Sequence, residues 1–342
     1  MLNEKEYKMH TFWSRTMIWL FIAMFLSVPF SALTEAAPTR QATTLITAAF
    51  PGDSPILLRQ AAFQAYNPDP QGAWGDVQHR RVPGGEVLRL APSFKARPGP
   101  TLKIVLTASP APTLKEIDAA PTLAKLDSLI GPQEYPVPAD QAFGAVVIYN
   151  WQEGTVAAIA PLKPEPTCDT IPTRGNLART PLETAPDICL AIQTAADLNR
   201  TAAPPDNLDV GAYRLTVTGQ VEKPLSLSYA DLKQYPTTSQ VLLLICSGVF
   251  ADTAEWTGVP LSALMEQAGV KPDFKSVRFQ SVDNYWGTLD RKEFKPEDIM
   301  IAYKVNGEDL PPAHGYPMRV AIRNVYGSKW VKWVSKVEFL DK

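Results

Sequence analysis

Val241–Phe250 reads VLLLICSGVF, an unbroken aliphatic run that meets Cys246-Ser247-Gly248. A short continuous apolar run closed by a turn residue predicts a strand buried on both faces of a sheet. Working outward, Tyr213–Val221 (YRLTVTGQV) alternates with period two and predicts a second strand. In Leu225–Pro236 (LSLSYADLKQYP), Ser228 stands where an N-cap would open a short helix. Downstream, Trp256–Pro272 (WTGVPLSALMEQAGVKP) predicts a helix that starts near Leu261 and ends at Gly269. Ser276–Asp283 (SVRFQSVD) is a further strand, and Met300–Leu310 (MIAYKVNGEDL) is a hairpin about Asn306-Gly307. The tail from Tyr316 to Leu340 gives two strands joined through Tyr326-Gly327. Residues 208–342 therefore predict a mixed α+β domain.

The rest of the chain is built differently. Of 32 prolines in 342 residues, 24 fall in residues 1–207 and 8 in residues 208–342. Proline is about 9% of the chain against a usual ~5%, and it is concentrated in the first part. From about Thr43 to Leu162, short alternating runs such as Glu86–Leu90, Thr101–Leu106 and Ala145–Tyr149 are separated by Gly and Pro. That pattern predicts a small all-β sandwich over 43–162, with one or two helical turns in Ala119–Leu129. Tyr149 and Trp151 read as core or rim aromatics. His79-Arg80-Arg81 reads either as a solvated turn or as an anion contact. Residues 163–207, rich in Pro, Thr and Ala and ending at Pro204-Pro205, read as a linker.

The chain carries 33 Lys+Arg against 35 Asp+Glu, a net charge of −2, and has no basic cluster, which excludes a strongly basic nucleic-acid binder. An apolar content of 45% with so little net charge also excludes disorder throughout. Lys5, Lys8 and Arg15 precede an apolar run from Met17 to Leu33, and Ala36-Ala37 follow. That order is a secretory signal peptide over residues 1–37, and it sets a periplasmic location. The alternative is a retained N-terminal anchor; no later segment is long and apolar enough to span a bilayer. A single Arg before the apolar run means that the twin-arginine export signal is absent. In an oxidising compartment Cys168 and Cys189 would pair across the Pro/Thr-rich stretch between them, the alternative being two free surface thiols. Cys246 is left unpaired.

Residues 208–342 resemble the molybdopterin-binding domain of the sulfite oxidase family. The resemblance rests on elements recurring in order: the strand ending in Cys246-Ser247-Gly248, WTGVPLSALMEQAGV, VRFQSVD, NGEDLPPAHGYPMR and YGSKWVKW. It implies an oxidoreductase similar to the catalytic subunit of periplasmic methionine sulfoxide reductase, with a molybdenum–molybdopterin cofactor. Cys246 takes the place of the metal-ligating thiolate. A soft thiolate suits such a metal, and Gly248 lets backbone approach a bulky ligand. The resemblance further implies cofactor contacts at Ser247, Gly248, Ser281, His314, Arg319, Trp330, Val331 and Lys332, with the Arg319 guanidinium offered to the cofactor phosphate. Read singly, Cys246 is a buried small hydrophobe, Arg319 and Lys332 are strand-edge charges, and His314 is a turn residue.

Relatives in that family carry a pterin-covering segment rich in Asn, Phe and Arg, and none is read before Leu208. The expected function is oxygen-atom or two-electron transfer at a small sulfur- or nitrogen-oxide substrate. Neither a Cys-x-x-Cys-His haem site nor an iron–sulfur Cys set occurs, so electrons would pass to or from an external redox protein. The alternative is a cofactor-free binding module of the cell envelope using the same fold. Residues 43–162 more weakly resemble a DM-thirteen domain, through GGEVLRLAPSFKARPGPTLKIVLTASPAP and the strand-bearing stretch from Leu126 to Leu162. That family has been linked to redox roles through a Cys; here Ile148-Tyr149-Asn150-Trp151 stands in that region.

Overall fold

The apolar run is one arm of a long hairpin. Strand Thr238–Cys246 pairs antiparallel with Phe250–Pro260, register Thr238↔Gly258 through Cys246↔Phe250. The turn between them closes with the Val249 N–H on the Cys246 carbonyl at 2.9 Å. Gly248 sits there at φ +73°, a conformation open to residues without a Cβ. The computed structural model describes residues 54–341 except 67–71, 99–100, 140 and 165–166. The proposed signal peptide lies outside the described residues.

Phe250–Pro260 also pairs with Ile299–Val305, which pairs in turn with Glu308–Asp309 and with Arg319–Ile322. A second sheet runs in the order Leu225–Leu227, Leu215–Gly219, Val334–Leu340, Ser276–Ser281, Trp286–Asp290. Its Leu215–Gly219 and Val334–Leu340 strands are parallel. Both sheets bury their facing sides in one core, with Trp256, Phe279, Ile301 and Phe339 among its largest members. Helix Leu261–Ala268 packs on that core through Leu261, Leu264 and Ala268 and stops at Gly269, which takes the left-handed cap (φ +61°). Ser228 caps Tyr229–Leu232 through a capping box with Asp231. Asn306 (φ 51°) and Gly307 (φ 87°) turn the expected hairpin. The two tail strands, Arg319–Ile322 and Val334–Leu340, belong to different sheets. Their connection therefore crosses from one sheet to the other.

Upstream, a five-stranded sheet (Leu190–Ala191, Ile56–Ala62, Asp76–Val82, Gly85–Leu90, Gln133–Val137) faces a four-stranded one (Thr155–Pro161, Ala145–Asn150, Leu102–Thr107, Thr122–Lys125). Val77, Leu88 and Leu90 from the first meet Ile104, Val146 and Ile148 from the second in a shared core. This is the β sandwich the alternation predicted. The described residues are thus mostly β with few helices.

Four local expectations change. The helix lies at Leu114–Ala119, opened by a Thr113/Glu116 capping box, and not within Ala119–Leu129, where Pro121 breaks the helix and Thr122–Lys125 is a strand. Trp151 is exposed beneath Lys103 and only Tyr149 is buried. His79 and Arg80 are neither a solvated turn nor an anion contact. Both are buried in strand Asp76–Val82, where His79 Nε2 lies 2.9 Å from Glu86 and Arg80 Nη2 donates to Glu255 at 2.5 Å. Finally, the stretch read as a linker is packed structure. Within 163–207, helix Arg174–Arg179 and strand Leu190–Ala191 bury Leu177, Ala178, Leu190 and Ile192. Cys168 and Cys189 are bridged there, with Cα atoms 5.4 Å apart.

Candidate functional site

The hairpin carries Cys246 to the edge of a cavity of about 390 Å³ between the two C-terminal sheets and the packed upstream stretch. Leu244, Cys246, Phe250, Asp252 and Trp256 line it from the hairpin, and Arg319, Trp330, Lys332 and Trp333 from the tail. Cys246 is half-buried and unpaired. Burial, and then the carboxylate of Asp252, push its thiol above the usual range.

Three cationic or ionisable groups meet at the opposite wall because of local backbone geometry. Arg319 and Lys332 face each other across an antiparallel bridge. Gly315, at φ +111°, packs so close that a Cβ there would lie 2.9 Å from the Arg319 Cβ and 3.3 Å from the Lys332 Cβ. The Pro312–His314 turn is tied down by donors from the tail: Arg319 Nη1 to the His314 carbonyl (3.1 Å), Lys332 Nζ to Ala313 (2.9 Å) and Trp333 Nε1 to Pro312 (3.0 Å). Arg319 also donates to the Trp330 carbonyl at 3.3 Å and stacks over Trp256, 4.8 Å from its ring centre.

Arg319 is 5% exposed, and its hydrogen bonds go to carbonyls rather than to a carboxylate. Burial lowers its pKa from 12.5 to about 10. Burial, together with the Arg319 charge, lowers Lys332 to about 8. Burial, then the charges of Arg319, Lys332 and Arg200, lowers His314 to about 4, so its imidazole is neutral at neutral pH. Its Nε2 is buried and has no hydrogen-bond partner among the described residues. A cavity that gathers a buried guanidinium, a half-buried ammonium and an unsatisfied imidazole nitrogen is suited to receive an anion.

Of the residues read from the sequence, the fold brings Cys246, His314, Arg319, Trp330 and Lys332 together around this cavity. Ser247 and Gly248 are exposed in the hairpin turn outside its lining. Val331 is fully buried, with its carbonyl accepting from the Val320 N–H. Ser281 is buried too, and its hydroxyl accepts from the Asp283 N–H, at the turn that presents Asp283 and Tyr285 to the cavity.

The sequence reading missed Asp252, Trp256, Asp283, Tyr285 and, above all, Leu198, Asn199, Thr201 and Ala202. The last four correct the expectation that nothing before Leu208 covers the site. They come from the end of the stretch read as a linker, where LNRTA carries an Asn and an Arg but no aromatic. Composition alone concealed them.

Residues 201–342 match the family model described as the oxidoreductase molybdopterin binding domain. This region is similar to oxidoreductase domains that bind molybdopterin. The chain is 29% identical over 177 residues to the NADH nitrate reductase of Ulva prolifera, covering 42% of this chain and 20% of that protein. It is 33% identical over 152 residues to the NADPH nitrate reductase of Beauveria bassiana, covering 36% of this chain and 17% of that protein. The chain thus spans a fifth or less of these two relatives. Among solved structures, the sulfane dehydrogenase SoxCD from Paracoccus pantotrophus is 29% identical at a TM-score of 0.38, over 48% of this chain and 46% of that one.

The residues of this region fit a molybdopterin cofactor. Cys246 offers a sulfur donor for a soft metal at one side of the cavity. Arg319 and Lys332 offer cationic donors for a phosphate, and the open His314 Nε2 offers a polar contact for a heterocycle.

Proposed function

We propose that this protein is an exported molybdenum oxidoreductase that transfers an oxygen atom or an electron pair at a small sulfur- or nitrogen-oxide substrate. One observation carries the reading: a lone thiol and the His314/Arg319/Lys332 group line one cavity. The bound cofactor would supply the two-electron redox change.

The chain's own groups have separable tasks. Cys246 Sγ would be the protein's ligand to the metal, held as the deprotonated thiolate that metal binding requires. Arg319 and Lys332 would hold the cofactor phosphate, and the carbonyls they already donate to keep both side chains in place. Trp256, Trp330, Trp333 and Phe250 exclude water, which strengthens every charge interaction inside. The relatives named nitrate reductase, together with the cationic wall, support an oxyanion as substrate.

The location and the partner belong to the same proposal. Periplasmic export is supported by the charged, apolar and small-residue order of residues 1–37 and by the Cys168–Cys189 bridge. An external redox protein is supported by the lack of haem or cluster motifs in the sequence. The β sandwich upstream fits the DM-thirteen-like reading of residues 43–162.

The test is molybdenum per chain in protein released from the periplasm of a host that makes the cofactor. Wild type should carry a stoichiometric amount and Cys246→Ser none, with the fold retained, since the near-isosteric change costs on the order of 1 kcal/mol. Wild type free of metal, after export by its own signal and by a twin-arginine one, overturns the enzyme reading in favour of a cofactor-free binding module.

A further inference from the structure

The buried carboxylate of Asp252 is the most heavily hydrogen-bonded side chain on the cavity wall, and the proposed chemistry does not use it. It lies across the hairpin from Leu244, two residues from Cys246 on the paired strand. All four of its donors come from upstream of the family-matched region. Oδ1 accepts from Arg174 Nη2 (3.1 Å), Gln193 Nε2 (3.2 Å) and Asn199 Nδ2 (2.7 Å), and Oδ2 accepts from the Asn199 N–H (2.9 Å). The matched region begins only at residue 201.

Further bonds dock the same stretch on the hairpin. The Gln193 N–H donates to the Thr253 carbonyl at 2.8 Å, and Gln193 Oε1 accepts from the Thr253 N–H at 2.7 Å. The Gly248 N–H donates to the Ala178 carbonyl at 2.8 Å. Past the last of these anchors, Asn199, Thr201 and Ala202 form the wall of the cavity that Cys246 also lines. Thr201 and Ala202 are exposed, so this wall stands at the mouth.

We infer that Asp252 is a positioning residue: it pins the 174–202 stretch against the Cys246 hairpin, and the pinned stretch sets how large a molecule reaches the metal-ligating thiol. The inference rests on reading this cavity as the place where cofactor and substrate meet. A carboxylate suits the task because it accepts several bonds at once, and charge-assisted bonds are about twice as strong as neutral ones. The wall's short side chains, Asn199, Thr201 and Ala202, leave room for a small oxyanion and exclude bulky substrates while the pin holds.

The experiment uses cofactor-free protein, in which Cys246 is the one thiol outside the Cys168–Cys189 bridge. Alkylation is timed with N-methylmaleimide and with N-pyrenylmaleimide. The thiolate adds to the double bond of both, so the ratio of the two rates cancels any change in thiol ionisation and reports size selection alone. Asp252→Asn and Asn199→Asp should each raise the bulky-to-small ratio about tenfold, the first by losing the charge and the second by setting two carboxylates together. Asp252→Glu, which keeps both acceptor oxygens and the charge, should hold the ratio closer to wild type than Asp252→Asn does, which general loosening by substitution at this site would not do. Folded single variants with an unchanged ratio, or an Asp252→Glu variant that raises it as far as Asp252→Asn, overturn the inference. If either charged variant loses its far-ultraviolet circular dichroism, Asn199→Ala, which keeps the backbone bond, carries the test with the same two outcomes. Because no metal is present, failure of the molybdenum reading leaves this ratio untouched, and failure here leaves metal retention untouched.

Discussion

Replacing Asp76 by Asn should make the protein more stable at neutral pH and less stable in acid. Asp76 is 5% exposed in the sandwich, at the contact with the root of the Cys246 strand. Its Oδ2 accepts from the Ser239 N–H (2.7 Å), Ser93 Oγ (2.6 Å) and Thr238 Oγ1 (3.2 Å). Burial outweighs these bonds and, with help from the Glu255 charge, raises the carboxyl from 3.8 to about 6. At 1.36 kcal/mol per pH unit, folding disfavours the ionised form by roughly 3 kcal/mol.

The sign follows from linkage. Below the unfolded pKa both states are protonated and nothing is lost; stability falls as pH rises from near 4 through about 6, and above that the full cost is present. Asn is a neutral isostere that turns one acceptor into a donor, at about 1 kcal/mol. The variant should therefore be about 1 kcal/mol weaker near pH 4 and roughly 2 kcal/mol stronger near pH 7.5, since other titrations cancel between the two proteins. Urea unfolding of the cofactor-free protein at several pH values measures the difference. A difference that stays constant with pH, or an Asn variant weaker at neutral pH, would refute the argument.

Two other substitutions probe the supports of the site. Gly315→Ala places a Cβ at φ +111° against Arg319 and Lys332; the backbone alone costs about 1–2 kcal/mol, and molybdenum retention should fall by more than the urea midpoint does. Equal losses would mean that the glycine serves only the fold. Glu255→Gln strips the charge facing the buried Arg80 (2.5 Å) and Arg89 (3.3 Å) and should cost roughly 3–5 kcal/mol in urea unfolding, whereas a loss under about 1 kcal/mol would show that the guanidinium groups find other partners.

Much of the C-terminal domain is legible in the chain because its signals are local. The apolar run to Cys246, the Ser228 cap, the Gly269 stop and the Asn306-Gly307 turn each depend on neighbours within a few residues, and each forms where the sequence puts it. The ordered motifs likewise mark Cys246, His314, Arg319, Trp330 and Lys332, which the fold brings to one cavity. His79 and Arg80 were misread for the opposite reason: their partners Glu86 and Glu255 decide their burial, and Glu255 is 175 residues from Arg80.

The sequence by itself determined the mixed α+β domain and the upstream sandwich, since periodicity and turn chemistry are written along the chain, and its family resemblance pointed to the residues that meet at the cavity. Only the tertiary structure decided that the Pro-rich stretch 163–207 is packed and that its end walls the cavity. No local pattern marks a segment whose order comes from hydrogen bonds to Asp252, 53 to 78 residues away. The shared cavity of Cys246 and Arg319 is likewise a product of folding, because two strands 73 residues apart meet only when the hairpin and the tail pack on a common core.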